Sequence, residues 1–197
     1  MNDLYPPQEQ DLLLGIARRT LEVVTAGEAR PQVDLQTLPT RLQEERACFV
    51  SFHIDDELRG CTGTLVARRP LAEEVSVTTV QTAFYDPRFS PVMASEAPQI
   101  KIDISVLTPS TPLTINSPDE LLRLLRPGID GVTLSMAHYR STFLPQVWEH
   151  VPDPVEFLTM LSRKMGLPGD AWRHPKMNVE IYQSFNMTEP HHKPSPV

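Results

Sequence analysis

Cys61 stands between two glycines and two residues after an arginine, in the segment Leu58-Arg59-Gly60-Cys61-Thr62-Gly63. A thiolate is a nucleophile and a metal ligand, and nearby positive charge or backbone donors favour it. Arg59 supplies the charge. On a regular strand residues two apart share a face, so Arg59 and Cys61 are expected to meet. Gly60 and Gly63 leave backbone amides uncovered, open to an anion or to the sulfur. Cys61 and Arg59 are therefore candidate catalytic residues, and Gly60 and Gly63 candidate binding positions. The alternative is a small buried cysteine in a glycine-kinked hairpin, since buried free cysteines are common and inert.

Asp86 and Arg88 flank a proline in Asp86-Pro87-Arg88. They are candidates for positioning a substrate carboxylate or phosphate, or the thiolate. The alternative is a local salt bridge that stiffens a turn. Thr142 and Glu149 are candidates for a general base or hydrogen-bond donor, and Thr142 is the candidate substrate-binding residue of the two. Its neighbours Phe143, Leu144, Val147 and Trp148 are expected to wedge two lobes together, with Glu149 solvated. Cys48 alternates with Val50 and Phe52 and reads as core. His53, His138, His150 and His174 show no HxxxH or HExxH spacing, so neither a metal site nor a cofactor is expected. A cysteine–histidine pair in space stays open. No phosphate-binding glycine loop and no GxSxG elbow are present.

These residues need elements to place them. Gln8–Ala26 reads as an amphipathic helix with Leu12, Leu13, Ile16, Leu21 and Val24 on its stripe and Gly27 as its stop. Ala47–Ile54 alternates as a strand, and Leu58–Val66 returns as its hairpin partner. The glycines in that return mark a bulge or a close backbone approach beside Cys61. A helix from Pro70 to about Phe84 follows, then a proline-broken loop, then a strand at Gln99–Leu107. Ser117-Pro118-Asp119-Glu120 caps a short helix to Arg126. Gly131–Met136 and Tyr139–Leu144 form a hairpin around Ala137-His138. Asp153 caps a helix closed by Gly166, and Val179 to Phe185 makes one last strand. Recurring hairpins favour an α+β fold of antiparallel sheets with flanking helices. A single domain of two intertwined lobes is expected over residues 8–186, with a disordered tail at 187–197.

The 197 residues carry a net charge of -7, which argues against sequence-independent nucleic-acid binding. Two cysteines without CxxC spacing indicate a reducing compartment, taken as the cytoplasm. Met1–Gln10 carries no apolar run behind a basic stretch, so no signal peptide is expected, and no stretch has the length of a membrane helix.

Phe49-Val50 with the Cys61 segment resembles the signature of the AMME-syndrome chromosomal-region family, whose prokaryotic members are called AmmeMemoRadiSam system protein A. Further segments resemble it in the same order: Ala83–Phe89, Pro127–Val132, Thr142–Glu149 and Lys164–Leu167. The resemblance implies a larger and a smaller lobe in one compact unit, with the cysteine segment near a cleft. It also implies a functional link to a Memo-like protein and a radical-SAM protein, and no settled activity. Thr62 stands where the family generally has isoleucine, so a more polar pocket floor is expected. Ala137-His138-Tyr139 replaces an often glycine-rich hairpin tip. Two readings follow. One is a cysteine-dependent enzyme or enzyme subunit acting on a small molecule or a protein. The other is a non-catalytic binding or scaffold module for those partners.

Overall fold

The computed structural model describes residues 4–190. Their helices and strands are, in chain order, α1 (Pro7–Thr25), β1 (Cys48–Ile54), β2 (Glu57–Gly63), α2 (Leu71–Phe84), β3 (Lys101–Leu107), β4 (Thr111–Pro112), α3 (Pro118–Leu124), β5 (Gly131–Met136), β6 (Tyr139–Phe143), α4 (Pro154–Lys164), β7 (Asn178–Tyr182) and β8 (Ser184–Thr188). The fold is α+β, with antiparallel sheets and flanking helices. The chain divides into two units, one made by residues up to Leu107 with the segment from Phe185, the other by Thr108–Ser184. No helix among the described residues is long and apolar enough to cross a membrane.

In the first unit the sheet order is β2-β1-β3-β8. Period-two alternation sends Cys48, Val50 and Phe52 of β1, and Ile102, Ile104 and Val106 of β3, into one core. That core meets Leu13, Leu14, Ala17 and Leu21 of α1 and Leu71, Ala72 and Val75 of α2. Leu12, expected on the buried stripe, is exposed, and Leu14 and Ala17 take the inward positions. α1 ends where Gly27 adopts a left-handed φ of 86°. The Gly27 and Glu28 amides then donate back to the Val24 and Val23 carbonyls, each at 3.1 Å, as in a Schellman cap. Asp55 and Asp56 both have positive φ, which gives β1 and β2 a tight two-residue turn of the kind that matches strand twist.

In the second unit the order is β4-β7-β5-β6, with α3 and α4 contributing to a separate core around Leu121, Trp148, Phe157, Leu161 and Trp172. Ser117 and Asp153 cap α3 and α4 by accepting from the amides of Glu120 and Glu156. α3 stops at Leu124, two residues before the expected end. The hairpin turns at Ala137-His138 as expected, with Met136 opposite Tyr139.

The last strand differs from expectation. It is two strands in two sheets: β7 pairs with β5, and β8 lies beside β3. The break is at Gln183, whose amide donates to the Thr108 hydroxyl at 2.8 Å while the Thr108 amide donates to the Gln183 carbonyl. Phe185 and Met187 resume the spacing of Val179 and Ile181, and the one polar residue in that series, Gln183, marks the break, but a single polar residue in an alternating run does not reveal a change of partner. β8 continues to Thr188 with Met187 buried, past the expected start of a tail at 187. Residues 191–197 of that expected tail lie outside the described residues.

Candidate functional site

β2 is an edge strand, and Cys61 stands opposite Ser51 on its inner neighbour. An edge leaves backbone groups without a partner strand. At Cys61 a loop supplies side chains instead. Asp86 Oδ2 accepts from the Cys61 amide at 2.8 Å, and Arg88 Nη2 donates to the Cys61 carbonyl at 2.9 Å. Asp86 also accepts from Arg88 through its amide, Nε and Nη2, at 3.1, 3.0 and 2.7 Å. The sequence makes this loop in a simple way. α2 stops at Phe84, Pro87 forbids its continuation, and the Val92 amide returns to the Ala83 carbonyl at 2.8 Å. Asp86 and Arg88 therefore project at the edge of β2.

The Asp86 side chain is 2% exposed and that of Arg88 55%. The hydrogen bonds from the Arg88 guanidinium hold the Asp86 carboxyl well below the usual carboxylate range, overcoming burial, with the Cys61 and Arg88 amides adding to the effect. Asp86 in turn raises the Arg88 guanidinium, with a smaller contribution from Cys61. Cys61 is half-buried. Cys48, by contrast, is fully buried, and desolvation together with Glu74 pushes its thiol up to about 12.

Arg59 is not the cation at Cys61. The register of β2 slips between Phe52 and His53, leaving Arg59 without a partner in the ladder. The slip removes the regular alternation that would have aligned Arg59 with Cys61. Its guanidinium forms a two-pronged pair with Glu96, at 2.8 and 3.1 Å. The Phe89 ring is approached by the guanidinium carbons of both Arg59, at 6.0 Å, and Arg88, at 5.5 Å. Glu96 had no signal in the sequence, because its contact with Arg59 spans 37 residues.

Both glycines have close neighbours within the chain. A Cβ on Gly60 would lie 3.1 Å from Thr82 Cγ2, so Gly60 lets α2 approach the sheet. A Cβ on Gly63 would lie 2.4 Å from the Phe49 ring and 2.5 Å from the Cys48 carbonyl. The Cys61 amide, for its part, is already bound by Asp86. Gly63→Ala is expected to cost about 1–3 kcal/mol by overpacking, read as a lowered urea midpoint; an unchanged midpoint would show that β1 gives way freely. Thr62 faces α2, with its hydroxyl 2.7 Å from that of Thr82, so it lies on the opposite side of β2 from Cys61 and does not floor that residue's surroundings.

Thr142 belongs to the second unit. Its hydroxyl donates to the Val132 carbonyl at 2.9 Å and lies 2.8 Å from the Tyr182 hydroxyl. Burial pushes that phenol up to about 12. Trp148, expected to wedge lobes together, lies inside the second unit's own core, and Glu149 is exposed. Among the described residues no three His, Cys, Asp or Glu side chains come together as a metal site.

Residues 14–187 match the model of the AMMECR1 family. A protein of Methanocaldococcus jannaschii is 35% identical over 190 residues, covering 93% of this chain and 92% of its own. A protein of Methanopyrus kandleri is 33% identical over 196 residues, covering 96% and 94%. The crystal structure of an uncharacterized protein from Pyrococcus horikoshii is similar with a TM-score of 0.84 and 30% identity, covering 95% of each chain.

Proposed function

The chain belongs to the AMMECR1 family, and from that premise we propose that it is a cysteine-dependent enzyme or enzyme subunit in which Cys61 attacks or holds an electrophilic intermediate. The observation that carries this reading is the Asp86–Arg88 clamp, which grips both backbone groups of a half-buried cysteine and sets a guanidinium on its carbonyl. A fixed cation there can receive a substrate carboxylate, a phosphate or a developing oxyanion. The substrate is a small molecule or a modified protein, and the partners are a Memo-like protein and a radical-SAM protein. A reducing cytoplasmic setting keeps both cysteines as thiols.

Alkylation tests this reading. Iodoacetamide is expected to modify one thiol of the native protein, Cys61, while the buried Cys48 reacts only after unfolding. Iodoacetate carries the charge that Arg88 would receive. Arg88→Met should lower the iodoacetate-to-iodoacetamide rate ratio about 10-fold, the effect of one charge about 6 Å away at an effective dielectric near 40. Arg59→Met should leave the ratio unchanged. A ratio indifferent to Arg88, or a Cys61 that needs unfolding to react, sinks the proposal.

A scaffold role is the second reading. It is favoured by the fact that the clamp also seals a sheet edge, and by the exposure of Leu58, Tyr85 and Met93 in the segments that carry the clamp and the Arg59–Glu96 pair. Capture of either partner by a Cys61→Ala chain as well as by the wild type would support it.

A further inference from the structure

Ser51 of β1 lies opposite Cys61 on one side and opposite Asp103 of β3 on the other. Directly opposed residues share a face of the sheet, and so do residues two apart in a regular strand. β1 keeps an unbroken register with β3 from Cys48 to His53, so His53 is on this face as well. His53 Nδ1 lies 2.8 Å from Asp103 Oδ2, and both side chains are 28% exposed. The Thr188 hydroxyl donates to the other oxygen of Asp103. Lys101, opposite His53, is a further charged residue on the same face.

A carboxylate at Nδ1 selects the imidazole tautomer whose Nε2 is free to take a proton. Diagonal neighbours on adjacent strands stand roughly 7–8 Å apart. That separation leaves room between Cys61 and His53 for one reacting group or a water, and agrees with the failure of these side chains to converge as metal ligands. Ser51 adds a hydroxyl between them.

We infer that His53, held by Asp103, is the acid–base partner of Cys61 toward an acyl substrate seated along this row. The inference rests on the reading of Cys61 as a working thiol. His53 takes the thiol proton as sulfur attacks the carbonyl carbon. The bond from that carbon to the leaving group breaks, and the leaving group departs with the electron pair and the proton from His53. Water then adds to the thioester carbon and gives a proton to His53. The carbon–sulfur bond breaks, sulfur takes the electron pair, and the proton returns to it. Asp103 acts through His53 and is a positioning residue.

The full chain with p-nitrophenyl acetate provides the test. The wild type is expected to release a burst of about one p-nitrophenolate per chain as Cys61 is acylated, followed by slower turnover. Cys61→Ser loses both phases. His53→Gln keeps the burst amplitude, and its turnover falls about 100-fold, within the range for loss of a general base. Asp103→Asn slows turnover by a smaller factor. Free imidazole, after subtraction of its own hydrolysis of the ester measured with Cys61→Ser, restores turnover to His53→Ala, which a merely structural histidine would not allow. Should His53→Gln melt early, His53→Asn carries the same comparison. Wild-type turnover in a His53 variant overturns the inference while leaving the thiol reading intact. A wild type with no burst overturns the thiol reading itself, and the two failures are thereby told apart.

Discussion

Replacing Asp86 with alanine is expected to destabilise the first unit by about 3 kcal/mol, at the lower end of the cost of breaking a buried ion pair. Asp86 is nearly inaccessible and accepts from the Cys61 amide and from three Arg88 nitrogens. Arg88 is half exposed and regains water once its partner is gone, which keeps the cost below that of an enclosed pair. The Cys61 amide at the sheet edge loses the carboxylate that accepts from it, a further contribution. Asp86→Asn retains an acceptor for that amide and should cost less. Cys48 offers a direct readout, because its thiol is fully enclosed in the first unit's core. In a Cys61→Ser background, labelling of Cys48 by a neutral thiol reagent should accelerate on the order of 100-fold with Asp86→Ala, as opening becomes easier. The pH dependence has a definite sign. The folded carboxyl is depressed below the ordinary aspartate value near 4, so its stabilisation is complete above that value and is lost as pH falls through the folded one. The difference between wild type and Asp86→Ala should therefore be equal at pH 7 and pH 5 and shrink below about pH 4. A difference that persists undiminished in acid would show that Asp86 acts by packing and not by charge.

Much of what places Cys61 is local, and local physics is what a sequence displays. The alternation of Cys48, Val50 and Phe52, the Asp-Asp turn and the proline that ends α2 each act within a few residues. They sufficed to predict the β1–β2 hairpin and the loop carrying Asp86 and Arg88. The identity of the cation at Cys61 was not local. It depended on a one-residue slip in β2, which released Arg59 toward Glu96, and on the reach of a loop 25 residues away in the chain to the Cys61 amide. His53 shows the boundary between the two. Its place on the face shared with Ser51 follows from alternation, whereas Asp103 at its Nδ1 depends on the pairing of β1 with β3, a non-local choice. The passage from β7 to β8 marks the same limit, since Val179, Ile181, Phe185 and Met187 keep one period with only Gln183 between them, while the strand moves from one sheet to another.

The segment Thr142–Glu149, part of the family resemblance, has an explanation in packing that makes a definite demand on stability. Trp148 stacks on Phe157 with ring centroids 3.7 Å apart and planes within 4°. Its indole nitrogen donates to the Asp130 carbonyl at 2.7 Å, at a residue with no exposed surface. Trp148→Ala removes the ring, leaves a cavity and strands that carbonyl, and is expected to cost about 3–5 kcal/mol. Trp148→Phe keeps an aromatic against Phe157 and should recover most of that loss apart from the hydrogen bond, roughly 1 kcal/mol. The chain has two tryptophans, Trp148 and Trp172, and both lie in the second unit's core. Tryptophan fluorescence during urea unfolding therefore reports on that unit, and Trp172 remains as the probe in either variant. If Trp148→Ala unfolds at nearly the wild-type urea concentration, the stack is not holding the unit together, and the exposed Glu149 and the Thr142 hydroxyl become candidates for a role outside packing. If the midpoint falls as expected, the segment is accounted for by the core it builds, and the search for chemistry narrows to the face of the first sheet that carries Cys61.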